Sequence, residues 1–279
     1  MTAQTTLRRV ALMTQWTEFD SGAEKVAIEL AQRLQLPLSV VVPLLSNPEY
    51  EVVAHGLVAD AEAATAAAVA AFTARARDAG VTTGIRVRRG DELWREVVEE
   101  VRSLRADLLV TRRRGHRGFL GRLRVGEMVR QIAVHSSCPL MVVPRQARAP
   151  SQGILVVIQA GATVKPEMRS AAMLASRLGL PLRVLIVVPK GQARAYGDVQ
   201  LQQAQEVARQ AQVSVDGSVQ TGPLPEALEA SMRGSAVDLL VIGVLRGPAS
   251  HGRLRDVVEG VVGGVPCATL LVGTQSPTA

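Results

Sequence analysis

Short apolar runs alternate with longer amphipathic segments along the whole chain. Runs such as "LMVV" and "LVVI" are apolar at every position, which is typical of parallel strands buried on both faces. In the segments between them, apolar residues recur near helical spacing, as in "GAEKVAIELAQRL" at 22–34. The pattern therefore predicts an α/β protein in which buried strands and helices alternate.

Nine elements are predicted in the first half of the chain. Asp20 and Ser21 stand before the first helix as candidate N-caps, and the long Ala-rich segment reads as a helix because Ala has the best helix propensity. The predicted strands are 9–14, 37–44, 83–90, 106–111 and 139–144, and the predicted helices are 22–34, 59–79, 92–104 and 126–136.

The second half repeats the first. "AQRLQLPL" at 31–38 returns as "ASRLGLPL" at 175–182, and "ADLLV" at 106–110 returns as "VDLLV" at 237–241. The matched segments come in the same order in both halves. Such self-similarity indicates a duplicated domain of roughly 130–145 residues.

We expect two tandem domains at 1–146 and 153–275, joined by a polar linker at 147–152. Each is predicted to be a doubly wound α/β domain, with a five-stranded, mostly parallel sheet and helices on both faces. In the second half the strands are predicted at "ILVVIQ", "PLRVLIVV", "VSVDGSVQTG", "DLLVIG" and "ATLLVG", and the helices at "PEMRSAAMLASRL", "LQQAQEVARQA", "PEALEASMRG" and "LRDVVEGVVG".

Composition narrows the function classes. Hydrophobic residues make up 47% of the chain and aromatic residues only 3%, so the core must be aliphatic. The net charge of +7 is mild, and without aromatics for base stacking it does not indicate a nucleic-acid partner. No apolar run reaches the roughly 18 residues of a membrane span, and no signal peptide is recognisable, so we expect a cytoplasmic protein without a membrane partner.

Cysteine and histidine offer little chemistry. Cys138 and Cys267 each stand beside a proline and ahead of an apolar run, so we expect two buried, small apolar side chains. No second ligand lies at metal spacing, and the four histidines are scattered. The sequence therefore predicts no metal site and shows no catalytic constellation.

One segment is unusual in its charge. "RRRGHRGFLGRLRVGE" at 112–127 holds six arginines, four glycines and a single acid. It follows the fourth predicted strand, and doubly wound sheets bind ligands at the carboxyl ends of their strands. The positions of interest are therefore 14–15, 42–43, 89–90 and 111–118.

The order of elements resembles the universal stress protein family. The residues that carry the resemblance are "GDELWREVVEEVRSLRADLLV", the Gly-rich loop with the helix after it, and "SSCPLMVVP". The duplicated chain is similar to the tandem form of that family over nearly its whole length. The resemblance implies a non-enzymatic stress-response protein. It leaves open whether an adenine nucleotide or another anion in the first half regulates it.

The ATP-binding members of that family carry an Asp at the end of strand one. They also carry Gly-x2-Gly-x9-Gly-Ser/Thr after strand four, where backbone N–H groups and a helix N-terminus hold the phosphates. ATP is thus the one cofactor that the resemblance implies. Carried over to this chain, the candidate nucleotide-binding residues are Thr14, Gln15, Val42, Gly90, Arg112, Gly115, Gly118, Gly126 and Glu127.

The first half departs from this ATP-binding pattern. Gln15 replaces the strand-one Asp, Arg112 replaces the first loop glycine, and Glu127 replaces the Ser or Thr. Ten residues, not nine, separate Gly115 from Gly126. A carboxylate in the first helical turn interacts favourably with the helix dipole, by roughly 0.3–1 kcal/mol. We therefore expect Glu127 to occupy the phosphate position and to weaken ATP binding.

The second half has lost more of the pattern. Gln159 ends its first strand, only Gly243 and Gly247 correspond to the loop glycines, and Asp256 stands near the helix start. If one half keeps a ligand pocket, we expect it to be the first.

Three readings of the Arg-rich loop stay open: a solvated structural loop with Glu127 paired to a nearby Arg, an altered adenine-nucleotide site, and a surface for a protein or another anion. Gly90 has two readings. It lets the chain pass close to a ribose, as in the family, or it makes a turn after which Asp91 caps helix 92–104. The alternative function class is a nucleotide-hydrolysing or adenylating enzyme of the related α/β group, although no catalytic residues are apparent.

The resemblance also implies an assembly. In the family, the last strands of two domains pair across a dimer interface. Here "LMVVP" at 140–144 and "TLLVG" at 269–273 would otherwise be exposed apolar edges. We expect them to pair antiparallel within one chain, as an internal pseudo-dimer. A further homodimer and unidentified protein partners stay open.

Overall fold

A computed structural model describes residues 7–45, 55–113, 115–117, 123–245, 261–262 and 264–274. These residues form a ten-stranded sheet, a separate two-stranded hairpin and helices that pack on the sheet. The strands of the first half are β1 (Val10–Met13), β2 (Leu38–Leu45), β3 (Thr83–Gly90), β4 (Leu108–Arg112), β5 (Gly115–Arg117), β6 (Leu123–Val125) and β7 (Leu140–Val143). The strands of the second half are β8 (Ile154–Gln159), β9 (Leu182–Val188), β10 (Val215–Thr221), β11 (Leu239–Leu245) and β12 (Ala268–Thr274).

Seven α-helices lie in the described parts of the chain. Those of the first half are α1 (Ser21–Leu34), α2 (His55–Asp78), α3 (Leu93–Ser103) and α4 (Glu127–His135). Those of the second half are α5 (Lys165–Leu178), α6 (Arg194–Gln210) and α7 (Leu224–Met232). Each helix packs its apolar face on the sheet. Helix α3, for example, buries Val97, Val98 and Val101 and exposes most of its charged residues.

The strand order in the ten-stranded sheet is β10-β9-β8-β11-β12-β7-β4-β1-β2-β3. Five neighbouring strands come from each half, and within each half all the strand pairs are parallel. The α/β class and the two five-stranded parallel sets are as predicted. The domain boundaries at 146, 152 and 275 stay predictions.

The two sets meet at one antiparallel pair. Strand β12 pairs with β7, with Leu270 opposite Met141 and Leu271 opposite Leu140. This is the antiparallel pairing that the sequence predicts for the last strands. Because each strand covers the edge of the other, neither presents unpaired N–H and C=O groups to solvent.

The core is also continuous across the two halves. One cluster of buried residues on one face of the sheet contains residues of β1 and α1 together with residues of β8 and α5. A second cluster, on the other face, joins Val142 of β7 to Leu271 of β12. The halves therefore share much of their hydrophobic burial, although a third cluster, from Leu155 to Cys267, lies within the second half alone.

Two arginines mark the internal repeat at the junction. Arg33 of α1 donates to the carbonyl of Leu178 at 3.4 Å, and Arg177 of α5 donates to the carbonyl of Leu34 at 2.7 Å. Each side chain thus caps the C-terminus of the helix in the other half, where cations are favoured by the helix dipole. Arg33 and Arg177 occupy equivalent positions in the two copies.

Two details differ from the sequence-based expectation. Helix α6 starts at Arg194, seven residues before the predicted "LQQAQEVARQA", and runs through Gly197. That glycine lies so close to β9 and β10 that a Cβ would meet Val219 at 2.6 Å, so packing offsets its low helix propensity. The Arg-rich loop contains a hairpin, β5–β6, that its many glycines do not predict. The predicted helix "LRDVVEGVVG" lies mostly outside the described residues.

Because the β7–β12 pair lies inside a shared core, we expect both halves to unfold together. Leu270→Ala removes a side chain that is 1% exposed and should lower the free energy of unfolding by about 2–5 kcal/mol. Urea unfolding followed by circular dichroism should show one transition, shifted as a whole. Val199→Ala, at an exposed position on α6, is the matched control and should change little. Two transitions, only one of them shifted, would contradict the shared core.

Candidate functional site

Each half has a crevice where its strand order reverses. In the first half the reversal lies between β1 and β4, with Thr111 opposite Met13, and in the second between β8 and β11, with Ile242 opposite Val157. We call the spaces beyond the carboxyl ends of these strand pairs the first crevice and the second crevice. Ligands of doubly wound proteins bind at such points.

The side chain of Arg112 lies inside the first crevice. It is the last residue of β4 and is only 5% exposed. Its Nη1 is 3.2 Å from Oδ2 of Asp20 and also donates to the hydroxyl of Thr17, and its Nη2 donates to Oε1 of Gln15 at 3.3 Å. A guanidinium held by these acceptors occupies the space that the sequence assigned to a ligand.

Asp20 organises this crevice. Besides Arg112, its Oδ2 accepts the backbone N–H of Thr17 and the Thr17 hydroxyl, both at 2.8 Å, and the Gln15 N–H at 3.4 Å. As predicted, Asp20 precedes α1 directly, but its side chain makes no capping bond to that helix. Its partner Arg112 is distant in sequence, and for that reason local patterning does not reveal the pair.

Thr14 and Val42 are closed to a ligand. Thr14 has no exposed surface; its hydroxyl donates to Oε1 of Glu24 at 3.1 Å and accepts the N–H of Trp16 at 3.1 Å. Glu24 in turn pairs with Arg75 at 2.5 Å. Val42 is fully buried in the core. These residues were predicted to line a pocket, but they belong to packed and hydrogen-bonded structure.

Gly90 has a different neighbour from the expected ribose. A Cβ at this position would lie 2.6 Å from Oε1 of Glu96, and Glu96 forms a 2.8 Å ion pair with Arg88. The glycine therefore makes room for a side chain of α3. The prediction that Asp91 caps that helix is wrong, because Glu92 is the N-cap. In the described structure, Oδ1 of Asp91 accepts the N–H of the adjacent Glu92 at 2.9 Å.

The described glycines of the Arg-rich loop lie in two different local settings. Gly115 pairs with Val125 in the β5–β6 hairpin, whereas Gly118 lies outside the described residues. Gly126 is the N-cap of α4, and Glu127 is its first residue. The Glu127 carboxylate is 2.6 Å from Arg130 and accepts from Gln131 at 2.8 Å, with the side chain 59% exposed. It is thus paired on the surface of its own helix, as the structural reading of the loop expects.

The second crevice holds a buried acid without a partner. Glu167, in the first turn of α5, is 2% exposed, and its Oε2 accepts no hydrogen bond. Burial raises the pKa of Glu167 to about 7, although a bond to its own backbone opposes the shift. A Cβ at Gly243 would collide with this carboxylate, so the glycine leaves the space that Glu167 occupies.

A cavity of about 40 Å³ opens beside this carboxylate. Among the residues that line it are Gln159, Ala162, Leu224 and Gly243. The sequence favours the first half for any ligand pocket, yet in the described part of the chain the cavity at the strand switch lies in the second half. Glu167 was missed because "KPEMRS" resembles any helix start with a first-turn acid. The signal that could have revealed it is Gly243, aligned with Arg112.

Cysteine and histidine form no centre in the described structure. Cys138 and Cys267 are both buried, as predicted, and burial raises the pKa of the Cys267 thiol to about 11. Among the described residues, no three His, Cys, Asp or Glu side chains are grouped so that they could hold a metal ion. None of the helices described is long and apolar enough to cross a membrane.

Comparison with known proteins agrees with this architecture. The sequence model of the universal stress protein family matches residues 19–144. These matched residues belong to the universal stress protein family. The match covers the first half, and the second half repeats its strand order. No curated protein sequence matches the chain.

Solved structures show the fold over the full length. A universal stress protein from Archaeoglobus fulgidus is 12% identical, with a TM-score of 0.71 and 95% of this chain and 96% of that one covered. A putative universal stress protein from Pseudomonas aeruginosa is 14% identical, with a TM-score of 0.69 and 97% and 95% covered. The cytoplasmic domain of a prokaryotic cation chloride cotransporter is 14% identical, with a TM-score of 0.54 and 95% and 94% covered. This fold therefore serves different roles and does not by itself specify one.

The Arg112–Asp20 pair leads to a stability prediction. Arg112→Met leaves the Asp20 carboxylate buried without its cation and should lower the free energy of unfolding by about 3–5 kcal/mol. Adding Asp20→Asn should recover part of that loss. Arg233→Met, which breaks the exposed pair with Glu229, is the control and should cost at most about 1 kcal/mol. Equal losses for the two single arginine variants in urea unfolding would show that burial does not strengthen the Arg112 pair.

The raised pKa of Glu167 leads to a pH prediction. The folded state keeps the Glu167 proton up to about pH 7, whereas the unfolded state loses it near the ordinary value of 4.5. The free energy of unfolding should therefore fall as pH rises from about 4.5 to about 7. Glu167→Gln cannot ionise, so it should be more stable than wild type by about 2–3 kcal/mol at pH 8, with little difference at pH 4.5.

Chemical unfolding at several pH values measures this difference. Glu206→Gln makes the same change at an exposed site and should run parallel to wild type between pH 5 and 8. A constant gap between Glu167→Gln and wild type over that range would mean that Glu167 does not titrate there.

Proposed function

We propose that this universal stress protein is a non-enzymatic stress-response protein whose first crevice is closed by its own Arg112. The observation that carries the proposal is the buried guanidinium, bound by Asp20, Thr17 and Gln15 where a nucleotide would enter. An adenine nucleotide or another anion would then regulate the first half only by displacing that side chain. The protein would work mainly through contacts with protein partners.

Energetics support this proposal over the enzyme alternative. Breaking a buried, hydrogen-bonded ion pair costs about 3–5 kcal/mol, which weakens a competing ligand by roughly two to four orders of magnitude. Asp20 would also face the phosphates with a negative charge once Arg112 had moved. In addition, Oδ2 of Asp20 and Oε1 of Gln15 already accept from Arg112 and from backbone N–H groups, although Oδ1 of Asp20 has no hydrogen-bond partner among the described residues.

Calorimetric titration with Mg-ATP tests the proposal. We expect the wild type to bind with a Kd above about 1 mM and to release no phosphate. The double variant Arg112→Gly with Asp20→Ser opens the crevice and removes the buried acid, so it should bind at least tenfold more tightly, a gain of about 1.4 kcal/mol or more.

The Mg-ATP affinity of Glu127→Ser tests whether the Glu127 carboxylate of the Arg-rich loop opposes binding. The carboxylate is exposed and paired with Arg130, so its removal should change the Kd by less than about fivefold, the range of an exposed charge at a helix N-terminus. Micromolar binding by the wild type would refute the closed crevice. ATP turnover that survives in the double variant would favour the enzyme alternative.

A further inference from the structure

The second crevice contains a buried carboxyl group that no described side chain pairs with and that ionises only near pH 7. Glu167 is buried among Ile242, Val157 and Leu224, and its Oε2 faces no donor. Burying a carboxylate without a partner is costly, and proteins normally pair such groups or bind a ligand with them. The cavity beside it gives a ligand a place next to the acid.

The first crevice shows which chemical group binds at the position equivalent to the cavity of the second crevice. Gln15 and Gln159 hold equivalent positions at the ends of β1 and β8, and Arg112 and Gly243 hold equivalent positions on β4 and β11. In the first crevice a guanidinium lies between the glutamine oxygen and a buried carboxylate. In the second crevice the glutamine and a buried carboxylate are present, but glycine replaces the arginine.

We propose that the second crevice binds the guanidinium group of a ligand, with the Glu167 carboxylate and the Gln159 side-chain oxygen as acceptors. The ligand supplies from outside what Arg112 supplies from within in the first half. This site lies in the other half from the closed crevice, so it does not depend on the function proposed above.

Size and geometry favour guanidinium over other cations. A cavity of about 40 Å³ holds roughly three water molecules, close to the four heavy atoms of a planar guanidinium group. Guanidinium is more weakly hydrated than ammonium and presents paired N–H donors that match a carboxylate. Gln159 and Ala162 are exposed at the rim, so the rest of the ligand can extend into solvent.

The charge of the site depends on Glu167 alone among the described lining residues. These come from β8, the segment before α5, the start of α7 and β11, and none but Glu167 titrates. Helix α5 packs against strands β8, β9, β11 and β12 and against helices α1 and α6. No described charged group on these elements contributes to the pKa shift of Glu167. Protonation of Glu167 should therefore abolish the attraction for a cation.

Titration of the full-length protein with two probes tests the site. Methylguanidine represents a free small guanidine, and N-acetyl-arginine methylamide represents an arginine of a polypeptide. Saturable binding of either probe at pH 8 supports the guanidinium site. The probe that binds more tightly indicates whether the ligand is a small guanidine or an arginine of a polypeptide. Methylurea, the neutral analogue, and methylammonium should each bind at least tenfold more weakly.

Two comparisons assign the binding to Glu167. Glu167→Gln should weaken the guanidine probe at least tenfold, whereas Glu206→Gln, with the same change on an exposed helix face, should leave it unchanged. In the wild type, binding at pH 5.5 should be roughly thirtyfold weaker than at pH 8, following the ionised fraction of a carboxyl with a pKa of about 7.

The wild-type measurements keep the proposal open to refutation even if Glu167→Gln fails to fold. Absence of saturable binding up to about 20 mM of either probe would overturn it, since a ligand of five heavy atoms in a matched site can gain up to about 1.5 kcal/mol per atom, enough to bind well below that concentration. So would equal binding of methylurea and methylguanidine, binding independent of pH, or unchanged binding in Glu167→Gln.

Discussion

The antiparallel pair β7–β12 is the contact on which the whole molecule depends. It turns two five-stranded parallel sets into one sheet, and it places the central helices α1 and α5 side by side over a common core. Without it, each half would present an apolar edge strand, which proteins cover or shorten because it invites aggregation. The reciprocal caps from Arg33 and Arg177 add polar contacts at the same junction.

This junction leaves the two ligand-binding edges free to diverge. The strand switches of the two halves have the same register, yet one holds a buried arginine and the other a glycine. At Arg112 the crevice is neutralised internally by Asp20. At Gly243 the space belongs to the side chain of Glu167, which remains without a counter-ion. The arginine or glycine on the strand, together with the position of the buried carboxylate, thus distinguishes the filled crevice from the one with an acidic cavity.

Much of the site was beyond sequence reasoning because tertiary contacts, some of them between distant parts of the chain, set the role of each residue. One of the three readings left open for the loop pairs Glu127 with a nearby Arg, and it agrees with the ion pair to Arg130, three residues further along. By contrast, Asp20 looks like an N-cap, Gly90 like a turn and Gly115 like part of a phosphate loop. Each has another role, set by Arg112, Glu96 and Val125 respectively. Local sequence rules predict a capping bond for Asp20, but they cannot predict its buried partner Arg112, which lies 92 residues further along the chain.

The sequence by itself determined the α/β class, the duplication, the strands and most helix positions, because apolar periodicity records which residues must leave water. It also indicated the pairing of the last strands, since two apolar edges on one chain require cover. Only the tertiary structure decided which crevice is closed and which contains an unpaired acid. The physical reason is that the burial of Arg112 or Glu167 depends on the space between strands and helices. Hydrophobic periodicity does not predict the direction in which a single charged side chain points.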